Sequence, residues 1–252
     1  MTSNVYYQPK KSIVFDGSND YLEISNQGSG VANLNPASTE AFSVSAWCYP
    51  VDFASYSIIG TNQEASSPYE GWSFGWQSQR LDFVIYNSSA TKLNTYSALN
   101  TSTDPFFVMN RWTCVVATFD GSNNITGVKL YKDGTQLETT SSGTTIGTVN
   151  SAAGIRIGNA PWGASTFDGA LHGVAFWNKE LSAKEIAEIY RGRGGTPGPG
   201  NLNFHSAASN LISWWIADNP SDAYDGTIYD EKGSFNMTAN NLASDALIDL
   251  AP

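Results

Sequence analysis

Hydrophobic and polar positions alternate along this chain in short runs. In residues 42–49 the side chains of Phe42, Val44, Ala46 and Cys48 fall on one face, the period of a strand. Similar runs occupy residues 12–15, 21–24, 72–76, 81–86, 112–119 and 127–131. Each is rich in β-branched and aromatic residues and bounded by Gly, Asn, Asp or Ser, which predicts strands. Between two such runs stands Lys132-Asp133-Gly134-Thr135. Glycine accepts the positive φ of a type I′ turn, so a hairpin is expected here. Phe-Asp-Gly recurs at Phe15, Phe119 and Phe167 with unlike flanks, a repeated turn rather than an internal repeat.

One segment has helical signals, near residues 182–191. Ser182 and Glu185 form a capping box, and Leu181 with Ile186 can staple the entry. Ile186, Ile189 and Tyr190 share a face, and Gly192 suits the stop. About nine residues cannot stand alone as a helix, so it is expected to dock on the sheets. A Gly/Pro linker follows at 193–200. Residues 201–252 include an apolar, aromatic run at 211–216 but too few apolar positions for their own core. They are expected to return and add strands to one domain spanning 1–252. Residues 1–11 form an N-terminal arm, with Tyr6, Tyr7 and Pro9, that has no place in that domain.

Composition narrows the function. Only 14% of the 252 residues are charged, against about 25% in an average soluble domain, which argues against a coiled coil or a charged tail. Aromatics at 13% exclude simple disorder. The net charge of −10, with no basic run beyond Lys10-Lys11, excludes nucleic acid and anionic membrane as expected partners. No secretory leader or membrane-spanning stretch is evident. Cys48 and Cys114 are the only cysteines, too few for a disulfide framework or, with two histidines, a zinc site. They read as buried strand residues, with a single disulfide left open.

Four segments stand in a familiar order: 42–47 (Phe-Ser-Val-Ser-Ala-Trp), 111–121, 128–134, and 157–158 followed by 167–177, which runs on into 181–190. Together, over about residues 10–192, they resemble the laminin-G-like, concanavalin A-like lectin/glucanase superfamily. The resemblance implies an all-β jelly-roll sandwich of two curved antiparallel sheets. Residues 211–218, 225–230 and 233–241 resemble the tail of laminin-G-like proteins from tailed bacteriophages. That implies a non-enzymatic structural or interaction protein of a phage particle: a capsid decoration, head fibre or tail-associated component. Its expected partners are shell or tail subunits and cell-surface glycans, and its expected location is the virion. Oligomeric state is open, since no heptad run drives one. The alternatives are a calcium-assisted carbohydrate-binding module outside any virion and, last, a glycoside hydrolase.

The glucanase branch needs two carboxyls close together on one strand, and no segment supplies them. Glu64 and Glu70 come nearest, in a Ser/Pro-rich loop, while Glu185 and Glu188 belong to the helix. His172 reads as a strand residue and His205 as an exposed one. No Gly-x-Ser-x-Gly nucleophile elbow at a strand-to-helix turn, and no phosphate-cradling loop, occurs. No enzyme and no required cofactor are therefore expected. Relatives often hold Ca²⁺ at the sandwich rim, and Asp16, Asp20 and Asp168 are the loop carboxylates that could serve. Each also suits its turn without metal, and that is the favoured reading. For glycans, Trp162, Tyr69, Trp72 and Trp76 are the candidate aromatic platforms. For Trp72 and Trp76, four apart on one strand face, a place in the core is favoured.

Overall fold

A computed structural model describes residues 11–24, 34–53, 56–98, 107–149, 151, 153–163, 165–192, 197–218, 226–249 and 252. The alternating runs become strands, paired antiparallel throughout. In chain order they are β1 (Ser12–Asp16), β2 (Tyr21–Ile24), β3 (Phe42–Pro50), β4 (Tyr56–Thr61), β5 (Gly71–Gln77), β6 (Arg80–Tyr86) and β7 (Lys92–Ser97). Next come β8 (Thr113–Phe119), β9 (Val128–Lys132), β10 (Thr135–Gln136), β11 (Thr139–Ser142), β12 (Ile155–Ile157) and β13 (Asp168–Trp177). After the helix α1 (Ala183–Arg191) follow β14 (Leu211–Trp215), β15 (Thr227–Ile228), β16 (Met237–Asn240) and β17 (Leu247–Ile248).

The strands form two stacked sheets, a jelly-roll sandwich. Sheet I runs β10-β9-β8-β3-β13-β1-β17, with β14 also on β13. Sheet II runs β11-β7-β6-β5-β4-β12-β2-β16-β15. Phe42 of β3 sits at the centre of the core between them. Its ring stacks on Phe176 at 5.6 Å and lies within about 6 Å of Phe83, Phe119 and Trp72. Five strands from both sheets thus meet at one ring.

Two turns follow their chemistry closely. Asp133 (φ 49°) and Gly134 (φ 79°) link β9 to β10 with both central residues left-handed, as a type I′ turn requires. At the start of α1 the Ser182 hydroxyl accepts from the Glu185 amide, and the Glu185 carboxylate accepts from the Ser182 amide at 2.8 Å. Leu181 and Ile186 are both buried beside this cap.

The segment after α1 joins both sheets. In sheet I, β14 pairs with β13 and β17 with β1; in sheet II, β16 pairs with β2. Buried Asp230 knits this segment together. Its carboxylate accepts from the amides of Trp214, Lys232 and Phe235 at 3.0–3.1 Å. The chain's early end is fastened to the same region. The Lys11 amide donates to Asp218 at 2.7 Å, and the Lys11 carbonyl lies 2.9 Å from His172 Nδ1. Residues 1–10 of the N-terminal arm and 193–196 of the linker lie outside the described residues.

The outer face of sheet I is covered. Ile186 and Ile189 of α1, with Leu202, Ala207, Trp214 and Ile216, pack on Trp47, Val116 and Trp177. His205 is buried here rather than exposed as its position after the linker had suggested. Its Nε2 donates to the Glu185 carbonyl and its Nδ1 accepts from the Ala207 amide, at 2.9 and 3.0 Å. Cys114 belongs to this outer layer and Cys48 to the inner core. The two thiols therefore sit on opposite faces of adjacent strands, and both are free. Burial pushes each thiol's pKa well above its usual range.

Candidate functional site

The outer face of sheet II is built differently. Along β5, Trp72, Phe74 and Trp76 point into the core. Their neighbours Gly71, Ser73 and Gly75 face outward, since side chains alternate along a strand. In β6 the inward residues are Leu81, Phe83 and Ile85, which turns Asp82, Val84 and Tyr86 outward. Small residues on β5 beside larger ones on β6 and β7 leave a cleft of about 240 Å³. It is lined by Ser73, Asp82, Val84, Tyr86, Lys92 and Asn94 from the sheet, and by Gln63, Tyr69 and Trp162 from its margin.

Two loops set the aromatic margin. Tyr69 sits in the connection between β4 and β5, which is clamped across its base. Asn62 Oδ1 accepts from the Trp72 amide at 2.7 Å, and Gln63 Nε2 donates to the Tyr69 carbonyl at 3.1 Å. Tyr69 itself has φ 61° and follows a cis Ser67–Pro68 bond. Trp162 stands on the loop after β12, where the Ala160 amide bonds the Ser165 carbonyl and the Gly163 amide bonds the Ala160 carbonyl. Its indole N–H donates to Ser165 Oγ at 3.1 Å, fixing the ring. The result is a row of rings: Trp162 edge-on to Tyr69, and Tyr69 against Tyr86, each at 6.3 Å. The Lys92 ammonium lies 5.6 Å over Tyr86 at the end of the row.

The floor is polar and short of partners. Asp82 is 5% exposed and Asn94 is 8% exposed. Among the described residues, neither Asp82 Oδ1 nor Asn94 Oδ1 has a hydrogen-bond donor. A buried acceptor without a donor is costly. Burial pushes the Asp82 carboxyl pKa up to about 7, against the pull of the Lys92 charge.

Of the residues singled out from the sequence, Trp162 and Tyr69 come together on this margin, with Tyr69 40% exposed. Trp72 and Trp76 do not belong with them and are withdrawn as glycan platforms. They are 3% and 1% exposed and pack against Phe42 and Phe83, and against Phe53 and Phe107. Sequence reasoning missed Asp82, Asn94, Tyr86, Lys92 and Gln63. The available signal was the Gly-x-Ser-x-Gly spacing of small residues opposite the β5 aromatics.

The carboxylates suggested for Ca²⁺ are gathered at the β1–β13 end, where Asp16 pairs with Asp168. Their oxygens serve the turn: Asp20 accepts from the Asp16 amide at 3.0 Å, and Asp16 accepts from the Ser18 amide at 2.8 Å. Burial, then repulsion from Asp52 and Asp16, raises the Asp168 pKa. Among the described residues no group of three or more His, Cys, Asp or Glu side chains is placed to hold a metal ion.

Comparison with known proteins bears on this architecture. A family model described as concanavalin A-like lectin/glucanases superfamily, of laminin G type, matches residues 16–187. The chain belongs to that superfamily. No curated protein matches the chain. Among solved structures, a Bacteroides ovatus protein named for a proposed carbohydrate-binding role aligns over 97% of this chain with TM-score 0.65 and 18% identity. This chain spans 62% of that protein's length. The native heptameric SAP-like pentraxin of Limulus polyphemus aligns over 94% of this chain and 97% of its own (TM-score 0.50, 14% identity). The receptor-binding domain of a botulinum neurotoxin C/D mosaic aligns over 75% of this chain and 44% of its own (TM-score 0.53, 18% identity). At these identities the likeness is one of fold. Among the described residues, no helix is long and apolar enough to cross a membrane.

Proposed function

We propose that this protein is a non-enzymatic carbohydrate-binding module that holds a glycan in the sheet II cleft. The observation that carries this reading is the Trp162–Tyr69–Tyr86 row set over a polar floor. Ligand sites combine apolar or aromatic walls with a few placed polar groups. Sugar rings offer both an apolar C–H face and hydroxyls, so they match this pairing. The cleft volume lies below the usual range of roughly 300–1,000 Å³, which favours a mono- or disaccharide unit over a long buried chain. Asp82 is the one carboxyl among the lining residues, whereas hydrolysis by either common route uses two. The Bacteroides ovatus and neurotoxin structures are named for binding roles, in keeping with a binding module here.

The test is a glycan array with the wild type and Trp162→Ala. Wild type should be retained by a subset of neutral glycans, and Trp162→Ala should weaken that retention about tenfold or more, the loss of one well-placed aromatic contact. An array that retains nothing, or equal retention by the variant, would overturn the reading.

The setting we propose is a phage particle, with the protein as a decoration, fibre or tail-associated component. Support comes from the resemblance of the C-terminal segment to phage laminin-G-like proteins and from the acidic surface. Mass spectrometry of purified particles should find it at a fixed copy number relative to the shell protein. Its absence from particles would leave a free carbohydrate-binding module.

A further inference from the structure

We propose that Asp82 and Asn94 together accept hydrogen bonds from two hydroxyls of one uncharged glycan, and that the protein releases a proton when this glycan binds. The inference rests on the carbohydrate-binding reading above and deepens it. Its basis is the pair of donorless oxygens on the cleft floor.

Register explains why one ligand can reach both. Asp82 pairs with Tyr96 and Val84 pairs with Asn94, so Asp82 and Asn94 are diagonal neighbours on the same face. Such residues lie about 7–8 Å apart. Both atoms are acceptors and neither has a donor, so the cleft calls for donors in pairs. Gly75 stands beside Asp82 on β5 and carries no side chain to cover it.

Charge selects the ligand class. The groups facing Asp82 are Lys92 and Tyr96 from β7, Arg80 and Tyr86 from its own strand, and Tyr69 from the margin. Arg80 lies 4.9 Å over the Tyr96 ring and Lys92 over Tyr86. A cationic ligand would meet Lys92. An anionic one would meet Asp82 and a chain of net charge −10. Neutral hydroxyls satisfy the oxygens without either conflict.

Proton release then follows from linkage. In the free protein the Asp82 carboxyl titrates near neutrality. Hydrogen bonds donated by hydroxyls favour the carboxylate, so the bound form holds its proton less tightly. Affinity should therefore rise with pH through about 7 and level off above it.

The experiment uses the full chain and the methyl glycosides of glucose, galactose, mannose and arabinose, with methyl glucuronoside as the acidic counterpart. Binding is followed by the NMR shift of the Trp162 indole proton at pH 5.5 and 8.0. Neutral glycosides that bind should do so about thirtyfold tighter at pH 8.0 than at pH 5.5, the span expected when a group of pKa near 7 must be ionised. They should also outcompete the glucuronoside and lower the Asp82 titration midpoint, read from its carboxyl carbon. Asp82→Asn should bind more weakly and without pH dependence, and Asn94→Ser should bind more weakly with pH dependence kept. Wild-type binding that is flat from pH 5.5 to 8.0 overturns this inference while leaving the carbohydrate reading intact. No binding of any glycoside at either pH overturns both.

Discussion

The outer faces of the two sheets treat their buried ionisable groups in opposite ways. On sheet I, His205 lies under α1 with both ring nitrogens bonded, and the Asp230 carboxylate accepts three backbone amides. On sheet II, Asp82 is comparably buried and its Oδ1 has no donor. The first face is completed by the chain's own helix and C-terminal segment. The second is completed by nothing within the described residues. Satisfied polar groups fasten a structure, and unsatisfied ones at a cleft mark where a ligand can supply the missing bonds.

The strongest way to break the comparison is to damage the covered face and watch the open one. Trp214 is fully buried beneath the segment it carries and touches the layer around Trp177. Trp214→Ala should cost about 3–5 kcal/mol, as large-to-small aromatic truncations in cores do, and lower the melting temperature by about 10 °C. Urea denaturation checks this. The fraction still folded should keep its glycan affinity.

Next in size is Asp82, where the open face should show its cost to stability. Its pKa is raised from about 3.9 when unfolded to about 7 when folded. The folded state thus holds the proton more tightly. Stability is fully present below about pH 4 and is lost as pH rises toward 7, by up to about 4 kcal/mol. Asp82→Asn removes that loss, so its gain over wild type should be largest at about pH 8 and near zero at about pH 3, read from denaturation midpoints. His172, whose pKa burial lowers, destabilises both proteins as pH falls and cancels in the difference. An equal effect at both pH values would show that Asp82 is not a strained acid.

These contrasts were unevenly legible in the sequence. The inward set of β3, the Asp133-Gly134 turn and the Ser182–Glu185 cap are local chemistry, and each forms as its residues require. Strands β7, β11 and β4 were not anticipated. Lys92–Ser97 and Thr139–Ser142 carry few apolar residues, so their strand identity comes from pairing with each other and with β6. In the cleft, Tyr69 and Trp162 were visible as loop aromatics. Asp82 was hidden inside an apolar run, because nothing local says that its face looks away from the core. The face of a strand is settled by the opposite sheet, through partners distant in sequence.

A smaller change can test how the covered face is held. Ser182→Ala removes the reciprocal cap of α1 but no buried contact. It should cost about 1 kcal/mol by chemical denaturation, and hydrogen exchange should quicken in α1 while the amides of β6 and β7 keep their protection. Faster exchange in sheet II would mean that the two faces are coupled through the core.

The smallest stability effect should accompany the largest loss of binding. Trp162 stands on a margin loop, held by one hydrogen bond to Ser165 and one ring contact with Tyr69. Trp162→Ala should alter stability by about 0.5 kcal/mol, as substitutions outside a core do, while glycan retention falls. Trp214→Ala should do the reverse. If Trp162→Ala destabilised the protein as much as Trp214→Ala, the margin would be part of the scaffold. The two outer faces would then differ only in how much they bury, and not in what they are for.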